Sequence, residues 1–193
     1  MRLTLVRHGQ SQRGSTRVVG GHRGCMGLTP SGVVQMRKVG KELYKHSLVP
    51  DLIFCSTMRR SKQSAFVVGG VVGSPVVPPT CLLCEIHPGA TDSLSYEDLG
   101  GYGVRFDEDH PIGSGGESIK DLRLRTLSLV KLLAKDYETN HLALITHFGV
   151  VDSFAKLFLS SQVGDQADLW FSEGRAITVD GSPSRGFNVF RFI

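Results

Sequence analysis

Three short apolar runs constrain this chain more than any other feature. "LTLV" (3–6), "LIFC" (52–55) and "LALIT" (142–146) are too short for helices and apolar without alternation. Runs of this kind read as strands covered on both faces. Helical patterns separate and follow them. In "LTPSGVVQMRKVGKELYKH", Thr29 is an N-cap, Pro30 takes the first helical position, and Val33, Met36, Val39 and Leu43 keep helical spacing. "RRSKQSAFVVGGVV" and "FGVVDSFAKLFL" follow the second and third runs directly. Ser118 opens a long amphipathic helix with Leu122, Leu129, Leu132 and Leu133 among its apolar positions. "RAITVD" and "FNVFRF" read as closing strands joined by a Gly/Ser/Pro turn, and "VVP" (76–78) and "CLLCEI" (81–86) as extended segments. Strands alternating with helices predict an α/β chain: a three-layer α/β/α sandwich, its central sheet mostly parallel, with an antiparallel edge strand.

The chain has 193 residues, a length that fits a single domain over 1–193. Within it, residues 87–115 are rich in Gly, Pro and acidic groups and read as an irregular insertion. No apolar run is long enough to span a bilayer, and the N-terminus does not read as a signal peptide, so a cytoplasmic location and no membrane partner are expected. The formal charge is +4, and 14 of the 22 basic residues are arginine, but no dense basic run marks a nucleic-acid surface. Cys25, Cys55, Cys81 and Cys84 are too few for a disulfide scaffold. Cys81-x-x-Cys84 lacks a second ligand pair in sequence, and in an extended segment its thiols would point to opposite faces. No metal and no cofactor are expected.

The three apolar runs end on polar residues. The first ends on Arg7-His8-Gly9, the second on Ser56 with Arg59 and Arg60 just beyond, and the third on His147. Ligands of open α/β sheets bind outside the carboxyl ends of the strands. If the runs are parallel neighbours, two histidines and at least two arginines share one crevice. Arginine forks match phosphate oxygens, and helix N-termini add partial positive charge. A neutral imidazole beside a phosphate is a nucleophile for phosphorus. The leaving group then needs a proton, and Glu85, at the end of "CLLCE", is the best-placed acid.

These residues resemble the histidine phosphatase superfamily, in the branch that includes cofactor-dependent phosphoglycerate mutases. "LVRHGQS" is similar to its signature. "LTPSGVVQMRKVGKEL", "CSTMRRSKQSA", "LLCEIHPG", "GGESIKDLRLR" and "LITHFGVVDSF" resemble further family segments in the expected order. The resemblance implies a metal-independent phosphohistidine intermediate on His8. It implies a phosphate cradle of Arg7, Arg60 (rather than Arg59) and His147, with Glu85 as proton donor. Gln10, Ser11, the position of Gly14, His22 in the following loop, and Phe148 are further substrate-binding candidates. Gly14 stands where Asn is common, and Phe148 where a first Gly is usual. The implied activity is hydrolysis of a phosphomonoester, on a small phosphorylated metabolite or a phosphoprotein. The chain length fits the family's phosphatases better than its mutases. Mutase-type phosphoryl transfer and non-catalytic phosphate binding are the alternatives.

Overall fold

The structure, a computed structural model, describes residues 1–12, 17–100, 106–159 and 172–193. Position 14 therefore lies outside the described residues. Five strands form one sheet in the order β2-β3-β1-β4-β5. The strands are β1 (Arg2–Arg7), β2 (Leu52–Cys55), β3 (His141–Thr146), β4 (Ala176–Ser182) and β5 (Gly186–Phe192). β1, β2 and β3 are parallel, β4 runs antiparallel to β1, and β5 runs antiparallel to β4. The helices are α1 (Pro30–Lys45), α2 (Arg59–Val72), α3 (Ile119–Asp136) and α4 (Phe148–Phe158).

The apolar runs are continuous because both faces of the sheet are covered. Leu3, Leu5, Leu142 and Leu144 pack with Leu122, Leu129, Val151 and Phe154 of α3 and α4. Val6, Ile53, Ala143 and Ile145 face the other way, against Met36, Val39, Leu43 and Val68 of α1 and α2. Thr29 caps α1 by accepting from the Gly32 N–H at 3.0 Å. Ser118 and Asp121 cap α3 reciprocally, at 3.2 Å and 3.0 Å. Leu132, read from the sequence as an apolar-face position, is 47% exposed, while Leu122, Leu129 and Leu133 are buried.

Two sequence-based expectations change. "CLLCEI" is not extended, because Cys81–Leu83 form one turn of 3-10 helix, with Thr80 accepting from the Leu82 N–H at 3.3 Å. The thiols of Cys81 and Cys84 therefore meet instead of diverging, with their Sγ atoms 2.8 Å apart. The "VVP" run adds only a single parallel bridge, from Val76 to Ile53.

The insertion closes on itself: the Ala90 N–H donates to the Ser114 carbonyl at 2.9 Å, and that of Glu117 to the His87 carbonyl at 2.7 Å. It also pairs with the loop after β1 through Val18 and Ser95.

Candidate active site

Sheet register brings the reactive residues together. Arg7 pairs with Thr146, and Cys55 with Ile145. The next residues along, His8, His147 and Ser56, therefore emerge side by side at the carboxyl edge. The His8 N–H donates to the Thr146 carbonyl at 3.0 Å. The rings of His8 and His147 meet edge to face, with centroids 5.0 Å apart.

His8 is held on both sides. Its Nδ1 lies 2.8 Å from the Gly9 carbonyl, which only accepts, so Nδ1 carries the proton. Its Nε2 accepts from the Arg60 Nε–H at 3.0 Å. The ring thus presents an unprotonated Nε2, the tautomer a nucleophile needs. The Glu173 carboxylate lies 3.9 Å from Nδ1. Gly9 is glycine because a Cβ there would sit 2.4 Å from the Gly32 carbonyl oxygen. Its N–H donates to Ser64 Oγ at 3.2 Å, which ties the signature loop to α2.

Arg60 is 1% exposed, whereas Arg59 points to solvent. No carboxylate pairs with Arg60 among the described residues, and its Nη1 is buried without a hydrogen-bond partner there. His147 is fully buried and its Nδ1 likewise lacks a partner among the described residues. Its Nε2 lies 2.7 Å from Ser56 Oγ, which also accepts from the Met58 N–H. Burial, and then the Arg60 charge, holds the His147 pKa well below its ordinary value. A buried guanidinium and a buried imidazole aimed at the same crevice are what an anion would satisfy. Arg7 stands at the rim, its guanidinium 5.4 Å from the centre of the Phe148 ring. The residue that departs from the family's Gly thus braces the signature arginine.

Glu85 is positioned by backbone. The Gly149 N–H, in the first turn of α4, donates to both carboxylate oxygens at 3.1 and 3.3 Å, and the Ile86 N–H donates at 3.0 Å. The turn carrying Glu85 is clamped by Arg125, which donates to the carbonyls of Leu82 at 3.0 Å and Cys84 at 2.8 Å. Arg125 also forms a two-pronged pair with Glu117, both contacts 2.7 Å. Burial raises the pKa of Glu117, but the Arg125 guanidinium outweighs it and holds the carboxyl below its ordinary range. This clamp is the structural content of the "GGESIKDLRLR" segment, whose function was not legible from its spacing. Beside Glu85 opens a cavity of about 190 Å³, lined by Val19, Ile86, Phe106, Leu122, Phe148 and Asp152 among others.

The remaining candidates are placed differently. Gln10 accepts from the Thr29 hydroxyl at 2.8 Å, and so straps the signature loop to the start of α1. Ser11 is buried and bridges Leu28. His22 faces Thr57 Oγ1 at 2.8 Å and the Cys84 thiol at 3.4 Å. Cys55 is buried, and burial pushes its thiol up to about 11.

The sequence matches known proteins in the same terms. It is 25% identical over 160 residues to phosphoglycerate mutase-like protein 4 of Arabidopsis thaliana, covering 78% of this chain and 68% of that one. It is 29% identical over 139 residues to the 2,3-bisphosphoglycerate-dependent phosphoglycerate mutase of Bradyrhizobium diazoefficiens, 65% of this chain and 64% of that one. A metal-independent phosphoserine phosphatase of Arabidopsis thaliana is 25% identical over 156 residues, covering 77% and 65%. The chain spans about two thirds or less of the length of these curated relatives.

Among solved structures, the mycobacterial glucosyl-3-phosphoglycerate phosphatase in complex with VO3 shares the fold at TM-score 0.78 and 24% identity, over 98% of this chain and 97% of that one. The α-ribazole phosphatase of Shigella flexneri does so at TM-score 0.75 and 22% identity, over 98% and 96%. The sequence profile of the histidine phosphatase superfamily (branch 1) matches residues 3–183, and this chain belongs to that family.

Proposed function

We propose that the protein is a phosphomonoester hydrolase working through a phosphohistidine on His8. The observation that carries this reading is the His8–Arg60 contact of 3.0 Å in a buried cradle where Arg60 Nη1 and His147 Nδ1 have no hydrogen-bond partner among the described residues. His8 Nε2 attacks phosphorus in line. Arg7, Arg60 and His147 stabilise charge on the phosphoryl oxygens, and Glu85 protonates the leaving oxygen. In the second step the Glu85 carboxylate takes a proton from water, and the resulting hydroxide displaces His8 from phosphorus.

The cavity beside Glu85 supports a small phosphorylated metabolite over a phosphoprotein. At about 190 Å³, with a mostly aliphatic and aromatic lining, it suits a compact leaving group with an apolar flank. Ser11 and position 14 belong to the same signature loop and complete the substrate-binding assignment in this reading. Mutase-type transfer uses the same first step. The metal-independent phosphoserine phosphatase relative supports hydrolysis, and the mutase relatives, matched over a like share of their length, keep transfer as the second reading. No helix among the described residues is long and apolar enough to cross a membrane. The four free cysteines support a reducing, cytoplasmic setting.

The test is hydrolysis of an aryl phosphate by the wild type and by His8→Ala, with chelator present. Activity that is lost in the folded variant supports the reading. Equal rates in both proteins overturn His8 as nucleophile.

A further inference from the structure

Four side chains just outside the phosphate cradle converge without any part in the proposed chemistry. His22, Cys81 and His87 each offer a ligand atom, and these atoms lie within 4.8 Å of one another. His87 Nε2 is 3.3 Å from Cys81 Sγ, and His22 Nε2 is 3.7 Å from it. Cys84 Sγ adds a fourth corner, 3.4 Å from His22 Nε2 and 2.8 Å from Cys81 Sγ. Zinc bonded to sulfur at about 2.3 Å and to nitrogen at about 2.0 Å has tetrahedral edges of roughly 3.3 to 3.8 Å. These three sulfur–nitrogen separations fall in that range, and the sulfur–sulfur pair must open. We propose that His22, Cys81, Cys84 and His87 form a binding site for one zinc-class divalent ion.

The surroundings are those of a prepared site rather than a chance meeting of side chains. Asp92 holds the loop around His22, accepting from the N–H groups of Gly21 at 2.9 Å and Arg23 at 3.0 Å. Arg125 holds the Cys81–Cys84 turn by its carbonyls. Glu117 accepts from the His87 N–H at 3.0 Å and places a carboxylate oxygen 3.6 Å from His87 Nδ1, which leaves Nε2 aimed at the thiol. A carboxylate behind the non-ligating ring nitrogen is the usual outer support of a metal-binding histidine. Thiolate and imidazole together favour zinc over magnesium or calcium. The two thiols release their protons to solvent as the ion binds.

The site is distinct from the phosphoryl-transfer groups and stands independently of the hydrolase reading. Its consequence for that reading is positional. Cys84 and His87 flank Glu85 in sequence, so a bound ion pins the turn that carries the proton donor.

The experiment uses the reduced full chain after chelator treatment, titrated with Co²⁺ and then with Zn²⁺. The expected result is a one-to-one thiolate-to-cobalt absorption band that one equivalent of Zn²⁺ abolishes. The band is lost in Cys81→Ser and in His22→Ala, both at partly or fully exposed positions, and kept in His8→Ala. Circular dichroism verifies that each variant is folded. Absence of the band in the reduced wild type, with its thiols still reactive, overturns the proposal. So does a band that survives Cys81→Ser, which places the ion elsewhere, or a Cys81–Cys84 disulfide that forms in preference to metal binding.

Discussion

Replacing Gly149 with alanine tests how Glu85 is held. A Cβ at this position lies 2.3 Å from Glu85 Oε1, against the 3.4 Å at which ordinary contact begins, so the carboxylate must retreat by about 1.1 Å. Leu122 Cδ2, 2.9 Å from the same point, limits the room for alanine on its other side. A misplacement of this size costs about 10²-fold in rate, within the 10²–10⁴ range for losing a general acid altogether. Stability responds differently. Alanine gains up to about 1 kcal/mol of helix propensity over glycine. Weakening a charge-assisted hydrogen bond from the Gly149 N–H costs about 1.5–3 kcal/mol. The net loss is therefore roughly 0.5–2 kcal/mol, a fall of a few degrees in Tm for a chain of this size. The assay compares kcat for an alkyl phosphate and for an aryl phosphate whose leaving group is stable as an anion. Gly149→Ala is expected to slow the alkyl ester about 100-fold and the aryl ester much less, because only the alkoxide needs its proton. Equal slowing of both esters, or no slowing of either in a folded variant, refutes the assignment of Glu85 as a donor positioned through Gly149.

Other outcomes follow from the same geometry. Arg60→Met is expected to cut kcat/KM for a phosphomonoester by 10²-fold or more while leaving Tm unchanged or higher, since a buried cation without a carboxylate partner gives way to an apolar chain; a large fall in Tm would show that Arg60 is structural. Arg125→Ala removes one partner of a mostly buried ion pair and the clamp on the Glu85 turn, and is expected to cost about 3–5 kcal/mol in urea unfolding; a change within 1 kcal/mol contradicts the clamp. Burial, and then the charge of Arg2, holds the His141 pKa at about 4, below the ordinary 6.5, so the unfolded chain binds the extra proton first as pH falls. The His141 contribution is therefore expected to be fully present above pH 6.5 and to be lost from there towards pH 4, with His147 acting in the same direction; the decline over this range should be shallower in His141→Gln, and an unchanged slope would show that His141 is not its source.

The sheet and the meeting of His8, Arg60 and His147 at its edge were legible in the sequence because each depends on local pattern. Unbroken apolar runs signal strands covered on both faces, and a polar residue at the end of such a run has only the sheet edge to occupy. The choice between Arg59 and Arg60 was not legible from spacing, since both fall in the first turn of α2, and it came from the family resemblance. His22 was read as a substrate contact from its loop alone; that the Asp92 carboxylate fixes this loop and sets His22 against Cys84 and Thr57 was not legible. That depends on a contact across about seventy residues, to which periodicity is blind. The Cys81–Cys84 pair was misread because Thr80 caps a short 3-10 turn that apolar composition did not reveal. Gly149 was visible only as part of a motif, and its purpose required the position of Glu85.

The groups proposed to handle phosphorus stand at strand ends or in the first turn of α2, fixed by register and by the packed layers behind them. The cavity beside Glu85 is walled by Val19 and Gly20 after β1, by Ile86 and the insertion residues Pro88 and Phe106, and by side chains of α3 and α4 such as Leu122 and Phe148. Under the proposed function, part of the cavity wall is therefore carried by residues that do not touch His8, Arg60 or His147. Exchange of Val19, Ile86 or Phe106 reshapes what the pocket admits while leaving His8, Arg60 and His147 in register. Within this framework, a change of diet requires only new upholstery on an unaltered chassis.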